Sequence, residues 1–120
     1  MQTRKLGCSN LNFSKIELGT WGMGGASHEY SFGPQDDNES LSTIHSAIDQ
    51  GINCIDTAPF YGMGHSEEVV GKAIRNKRDK VFIATKCGVI WDDDDNYEFS
   101  LTKDSINSEI ERSLNKEYNG

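Results

Sequence analysis

The sequence predicts an α/β chain with a short parallel sheet and helices outside it. Three observations carry that reading. Apolar runs of strand length alternate with stretches of helical spacing, in the order hairpin, then β-α-β-α-β-α, and such alternation argues for parallel strands covered by helices. Two of the strand-like runs end in opposite charges, the first at Asp56 and the next at Lys86. Glycine and small polar residues punctuate the joins, where helices stop and the chain turns.

Taken in order, Arg4-Lys5-Leu6 and Asn12-Phe13-Ser14 flank the turn cluster Gly7-Cys8-Ser9-Asn10, which reads as a hairpin. Ile16-Glu17-Leu18-Gly19 reads as the first parallel strand. Gly19, Gly22, Gly24 and Gly25 then mark a loop where the backbone bends or approaches something closely. Residues 27–35 form a polar loop without periodicity. Leu41, Ile44, Ala47 and Ile48 recur at helical spacing, with Asp36 or Asp37 as the cap and Gly51 as the stop. Residues 52–55 read as the second strand. Ser66 is expected to cap the next helix, Glu67 and Glu68 suit its positive end, and Val69, Val70, Ala73 and Ile74 form its buried side. The third strand is residues 81–85. An acidic loop, about 92–96, precedes a third helix starting at Thr102, with Ile106, Ile110 and Leu114 on its inner face.

At 120 residues the chain is long enough for one modest core. Its net charge is −7, from 12 basic and 19 acidic side chains, which disfavours nucleic acid as a partner. No apolar run approaches the roughly 18 residues needed to cross a bilayer, and no membrane partner is expected. The N-terminus lacks the apolar core of a signal peptide. Cys8, Cys54 and Cys87 are odd in number and widely spaced, so a reducing, cytoplasmic setting is the simplest expectation.

Asp56, Tyr61 and Lys86 are the candidate chemical groups. Side chains at the carboxyl ends of neighbouring parallel strands share one rim, where ligands bind. An acid, a phenol and an amine together on such a rim make a proton-transfer site. Each has a plainer reading alone: the aspartate as a turn residue, the tyrosine as packing, the lysine as solvated.

Their surroundings decide between these. The stretches Arg4 to Ser9, Leu18-Gly19-Thr20-Trp21-Gly22-Met23-Gly24-Gly25, Gly51-Ile52-Asn53-Cys54-Ile55-Asp56-Thr57-Ala58, Tyr61-Gly62 through Ile74, Arg78 to Lys86 and Ile106 to Leu114 together resemble the N-terminal part of an aldo-keto reductase. The resemblance runs to about Leu114. It implies a partial TIM (β/α)8 barrel, comprising an N-terminal hairpin that closes the barrel bottom and about three βα units. Residues 1–120 would then be one incomplete domain, because such a barrel typically takes roughly 250 residues.

The resemblance also implies NAD(P)H-dependent reduction of a small aldehyde or ketone, with NADPH favoured over NADH. Asp56, Tyr61 and Lys86 match three of a family tetrad whose fourth member is a histidine beyond the matching segments. His28, His45 and His65 do not occupy that motif. Tyr61 would give the proton. A free phenol titrates near ~10, and a neighbouring ammonium favours its ionised form. Lys86 would supply that ammonium, and Asp56 would hold it charged and oriented. Gly19, Thr20 and Trp21, with Asp56, would lie near the nicotinamide ribose.

Other motifs fail on spacing. Gly22 to Gly25 is not followed by a helix, which argues against a dinucleotide fingerprint. Gly64-His65-Ser66-Glu67-Glu68 lacks the last glycine of a nucleophile elbow. Asp92, Asp94 and Asn96 open like a calcium loop, but Tyr97 and Lys103 stand where glycine and glutamate belong. No metal ligation is expected, and Cys87 reads as a small packing residue.

Residues 116–120 depart from the family's continuation, which suggests a frameshift, a gene-model error or a true early stop. Alone, the chain is expected to be inactive, partly folded, aggregation-prone or self-associating through open sheet edges. The rival reading is a non-catalytic half-barrel that pairs with itself or with a separately encoded C-terminal half. A third is a channel-associated reductase subunit.

Overall fold

The structure, a computed structural model, describes residues 1–26, 30–94 and 96–119, the side chains of Tyr118 and Asn119 excepted. His28 and Asp95 therefore lie outside the described residues. Strands β1 (Thr3–Lys5) and β2 (Asn12–Ser14) form the expected antiparallel hairpin. Strands β3 (Leu18–Gly19), β4 (Cys54–Asp56) and β5 (Phe82–Ala84) make a parallel sheet in that order. Helix α1 (Asp37–Asp49) joins β3 to β4, and α2 (His65–Ile74) joins β4 to β5. This is the start of a barrel of βα units, with the strands shorter than the apolar runs suggested.

The hairpin sits at the amino ends of the strands. Asn53, just before β4, accepts from the Ser14 amide at 2.7 Å and donates to the Asn12 carbonyl at 3.0 Å. Phe13 meets Phe82 edge-on at 4.5 Å between ring centres. The opposite rim is left open.

The helix signals act as read for α1. The Asp36 side chain accepts from the Asn38 amide at 2.7 Å, and Gly51 turns the chain at φ 89°. For α2 the expected cap is corrected. Gly64, at φ 95°, occupies the cap position, while Ser66 lies inside the first turn and is fully buried. Its hydroxyl donates to the Thr20 carbonyl at 2.9 Å instead of closing its own helix. Met23, Ile44, Ile55, Val69, Val70, Ala73, Ile74 and Val81 form the core between sheet and helices.

One further feature was not anticipated. The acidic stretch is the tip of a second antiparallel hairpin, β6 (Val89–Trp91) with β7 (Tyr97–Phe99). Asp92 closes it by accepting from the amides of Asp94 and Asn96 at 2.9 and 3.0 Å. The Asn96 side-chain amide, which also donates to Asp92, leads these bonds in holding the Asp92 carboxyl below its ordinary range. Helix α3 (Lys103–Asn119) starts as expected, with the Thr102 hydroxyl accepting from the Ser105 amide at 3.1 Å.

The expected inner face of α3 is wrong, however. Ile110 and Leu114 are 48% and 46% exposed, and Ile106 is half-buried. Glu109, Ser113 and Glu117 are buried instead. Close approach decides the rotation: a Cβ on Gly71 of α2 would collide with the Lys116 carbonyl of α3. The Ser113 hydroxyl also donates to Glu67 Oε1 of α2 at 2.7 Å.

Burial, with the neighbouring Glu67 adding to it and Arg78 opposing, pushes the Glu117 carboxyl up to about 7 from an ordinary 4.5. A carboxyl raised on folding contributes fully below its unfolded pKa, and that contribution is lost as pH climbs through the folded value. The melting temperature should therefore fall as pH rises between about 5 and 7.5. Glu117→Gln should flatten that fall in a calorimetric pH series, and an equally steep fall in the variant would sink this account.

Candidate active site

In-register parallel pairing builds the site. Gly19 pairs with Asp56 and Asp56 with Ala84, so the last residues of β3, β4 and β5 lie in one row. The ladder extends one step further: the Thr20 amide donates to the Asp56 carbonyl at 3.0 Å, and the Thr57 amide donates to the Ala84 carbonyl at 2.8 Å. Lys86 follows two residues beyond β5 and folds back over β4. Its Nζ donates to Asp56 Oδ1 and Oδ2, both at 2.9 Å, and to the Thr57 carbonyl at 2.8 Å.

Tyr61 completes the trio. The Lys86 Nζ stands 4.9 Å from the centre of the Tyr61 ring. Burial alone would lower the Lys86 pKa, yet its hydrogen bonding with Asp56 and Tyr61 and their charges raise it above the ordinary value. The three residues singled out in the sequence are thus brought together on one rim. His65 and His45 are placed elsewhere: His65 Nε2 meets Asp37 Oδ1 at 2.8 Å, and His45 Nε2 meets the Ala73 carbonyl at 2.9 Å.

Beneath the trio lies a buried hydroxyl network that the sequence did not announce. Thr20, Thr57 and Ser66 have no exposed surface. Ser66 Oγ reaches Thr20 Oγ1 at 2.8 Å and Thr57 Oγ1 at 3.2 Å, and Thr20 Oγ1 donates to the Asp56 carbonyl at 3.0 Å. The first residues after two strands and the first turn of α2 are pinned together. Thr20 accordingly works underneath the rim, while Gly19 and Trp21 are exposed on it.

Trp21 begins a short 3-10 turn, Trp21–Gly24, and its ring stacks on Tyr61 at 5.8 Å and 11°. The two loops also approach each other backbone to backbone. A Cβ on Gly24 would stand 2.6 Å from the Gly62 nitrogen and 2.8 Å from the Tyr61 carbonyl carbon. Gly62 is at φ 65° and its own Cβ would strike the Gly24 backbone.

A cavity of about 220 Å³ opens beside the trio, lined by residues that include Pro59, Phe60, Tyr61, Lys86, Val89 and Glu109. Cys87 also lines it and is exposed, which corrects its reading as a packing residue. The second hairpin walls this side: Phe60 meets Trp91 at 6.5 Å and Tyr97 at 5.3 Å between ring centres. The apolar run Val89-Ile90-Trp91 and the alternating Tyr97-Glu98-Phe99 on either side of a polar turn were the available signal for that wall. A second cavity, about 250 Å³, borders Gly19, Gly22, Met23 and Phe32.

Known proteins share this arrangement of strands and segments. The Aldo/keto reductase family pattern matches residues 15–117. The chain belongs to the aldo/keto reductase family. It is 41% identical over 118 residues to the aldo-keto reductase YhdN of Bacillus subtilis, covering 97% of this chain and 34% of that protein. The glycerol dehydrogenase AKR11B4 of Gluconobacter oxydans superposes with a TM-score of 0.82 at 39% identity, over 96% of this chain and 35% of its own. An aldo-keto reductase from Klebsiella pneumoniae, solved in complex with NADPH, superposes with a TM-score of 0.64 at 30% identity, over 88% and 31%. The chain spans about a third of the length of such relatives. Among the described residues, no helix is long and apolar enough to cross a membrane.

Putting a methyl group on Gly24 tests the backbone contact. Gly24→Ala should cost about 1–3 kcal/mol, in line with overpacking a tight site, and should break the Trp21–Tyr61 stack. Urea titration followed by tryptophan emission reads both effects; unchanged stability and emission would refute the contact.

Proposed function

We propose that Asp56, Tyr61 and Lys86 carry the proton chemistry of an NAD(P)H-dependent aldo/keto reductase that reduces small aldehydes or ketones reversibly. The observation that carries this reading is the Lys86 ammonium, gripped by both Asp56 oxygens and the Thr57 carbonyl while facing the Tyr61 ring. In this reading Tyr61 donates its phenolic proton to the carbonyl oxygen as that oxygen gains charge. The Lys86 ammonium stabilises the phenolate left behind, and Asp56 keeps the lysine charged and aimed. The cavity beside Tyr61 and Lys86 would take the substrate, with Phe60 and Val89 against its apolar part.

A reduced nicotinamide, when bound, supplies the hydride. The rim fits a flat ring system: Trp21 is 45% exposed beside Tyr61, and Gly19 presents no side chain. Gly19, Trp21 and Asp56 would border the nicotinamide ribose, and Thr20 would contribute by holding the Asp56 carbonyl from below. The Klebsiella pneumoniae relative is solved with NADPH and an Escherichia coli relative is named an NADH-specific methylglyoxal reductase, so this reading takes NAD(P)H without choosing between the two. A cytoplasmic setting agrees with this chemistry, which draws on a soluble nicotinamide pool.

A second reading, a non-catalytic half-barrel that pairs with a copy of itself or with a separately made C-terminal half, draws support from the exposed Ile110 and Leu114 of α3. Sedimentation of the purified 120-residue chain tests it, a well-behaved monomer at all concentrations counting against self-pairing.

Catalysis is best tested in a chimera in which this chain replaces the matching segment of the Bacillus subtilis relative. Aldehyde-dependent NADPH oxidation should appear and should fall by about 10²–10⁴-fold in Tyr61→Phe, the usual worth of a positioned proton donor. A folded, active chimera indifferent to that change would end the assignment of Tyr61.

A further inference from the structure

Glu67 and Glu109 are each 1% exposed, and the proton chemistry proposed above uses neither. Taking a carboxyl group out of water is costly unless donors compensate it. The side of α3 turned toward the rest of the described chain carries Glu109, Ser113 and Glu117, all buried. The donors show what is gained. Glu67 Oε1 accepts from the Thr85 hydroxyl at 2.8 Å and from the Ser113 hydroxyl at 2.7 Å. Glu109 takes the Gly88 amide with both oxygens, at 3.1 and 3.0 Å. Thr85 and Gly88 bracket Lys86, beyond the end of β5.

We propose that Glu67 and Glu109 are positioning residues that clamp the segment 85–88 from either side, so that the Lys86 ammonium is delivered to Asp56 and the Thr57 carbonyl. The proposal rests on the reading of Lys86 as the group that charges the site. Residues 85–87 are exposed and carry no core side chain, so their path depends on what grips their two ends. On one side the grip comes from α2, with Ser113 of α3 sharing the same oxygen. On the other it comes from α3 alone, at a buried glycine whose φ of 106° turns the chain. The Gly88 carbonyl is held as well, accepting from the Ser100 amide at 3.1 Å. The second hairpin therefore leaves the clamp in a fixed direction.

The test is the titration of the Lys86 side chain in the 120-residue protein, followed by NMR of its Cε and Nζ. Thr85→Val removes one hydroxyl, keeps the branched shape and alters no charge. Glu109→Asp keeps the carboxyl but draws it back by one methylene from Gly88. Asp56→Asn marks the midpoint of a lysine deprived of its partner. Both clamp variants should shift the Lys86 midpoint downward, toward that of Asp56→Asn, while their melting curves stay cooperative. A wild-type midpoint in either variant overturns the two-sided clamp. Because Glu109→Asp preserves the carboxyl, a merely electrostatic role for Glu109 would leave the midpoint in place and would also overturn it. Turnover is not read, so failure of the clamp is separate from failure of the reductase assignment, which the Tyr61→Phe chimera decides.

Discussion

Parallel pairing in register is the constraint on which the site depends. Because Gly19, Asp56 and Ala84 share one row, the residues that follow them emerge at one height and must share one space. Opposite charges emerging there can meet only if the longer side chain folds back, and Lys86 has the reach to cross from the end of β5 to β4. A register slip of one residue would turn Asp56 to the other face of the sheet. The Asn53 bonds to β2 oppose such a slip, since they fix β4 from its amino end. The bottom hairpin thus fixes the geometry of the top rim through the phase of a single strand.

Much of this was legible in the residues. Alternating periodicities gave the order of strands and helices, and Asp36, Gly51 and Thr102 marked helix ends through ordinary local hydrogen bonding and backbone preference. Asp56 and Lys86 stood out because each closes a strand run, and Tyr61 because it lies in the loop between them. What the residues hid has a common cause: tertiary partners override local preference. Ser66 is a good cap by composition, yet its hydroxyl is drawn to the Thr20 carbonyl, and Gly64 takes the cap position. On α3 the stripe Glu109-Ser113-Glu117 reads as a water-facing side, since nothing local reveals the Gly88 amide or Glu67 waiting across the interface.

Helix α3 also shows how polar partners can set which face a helix turns inward. Turning a helix by about a third of a revolution exchanges its faces, so α3 cannot place Glu109 at Gly88 and also bury Ile110 and Leu114 against α2. The Gly88 amide, shared between both Glu109 oxygens, together with the close fit at Gly71, sets the orientation.

The paired glycines after β3 and β4 have a consequence for motion. Gly24 and Gly62 meet backbone to backbone, with no flexible side chain between them to absorb a displacement. The loop carrying Trp21 and the loop carrying Tyr61 are therefore geared to each other: if one swings, the other must swing or the contact must open. Backbone displacements of the indole-bearing and phenol-bearing loops are thereby coupled, while each ring keeps its own side-chain torsions.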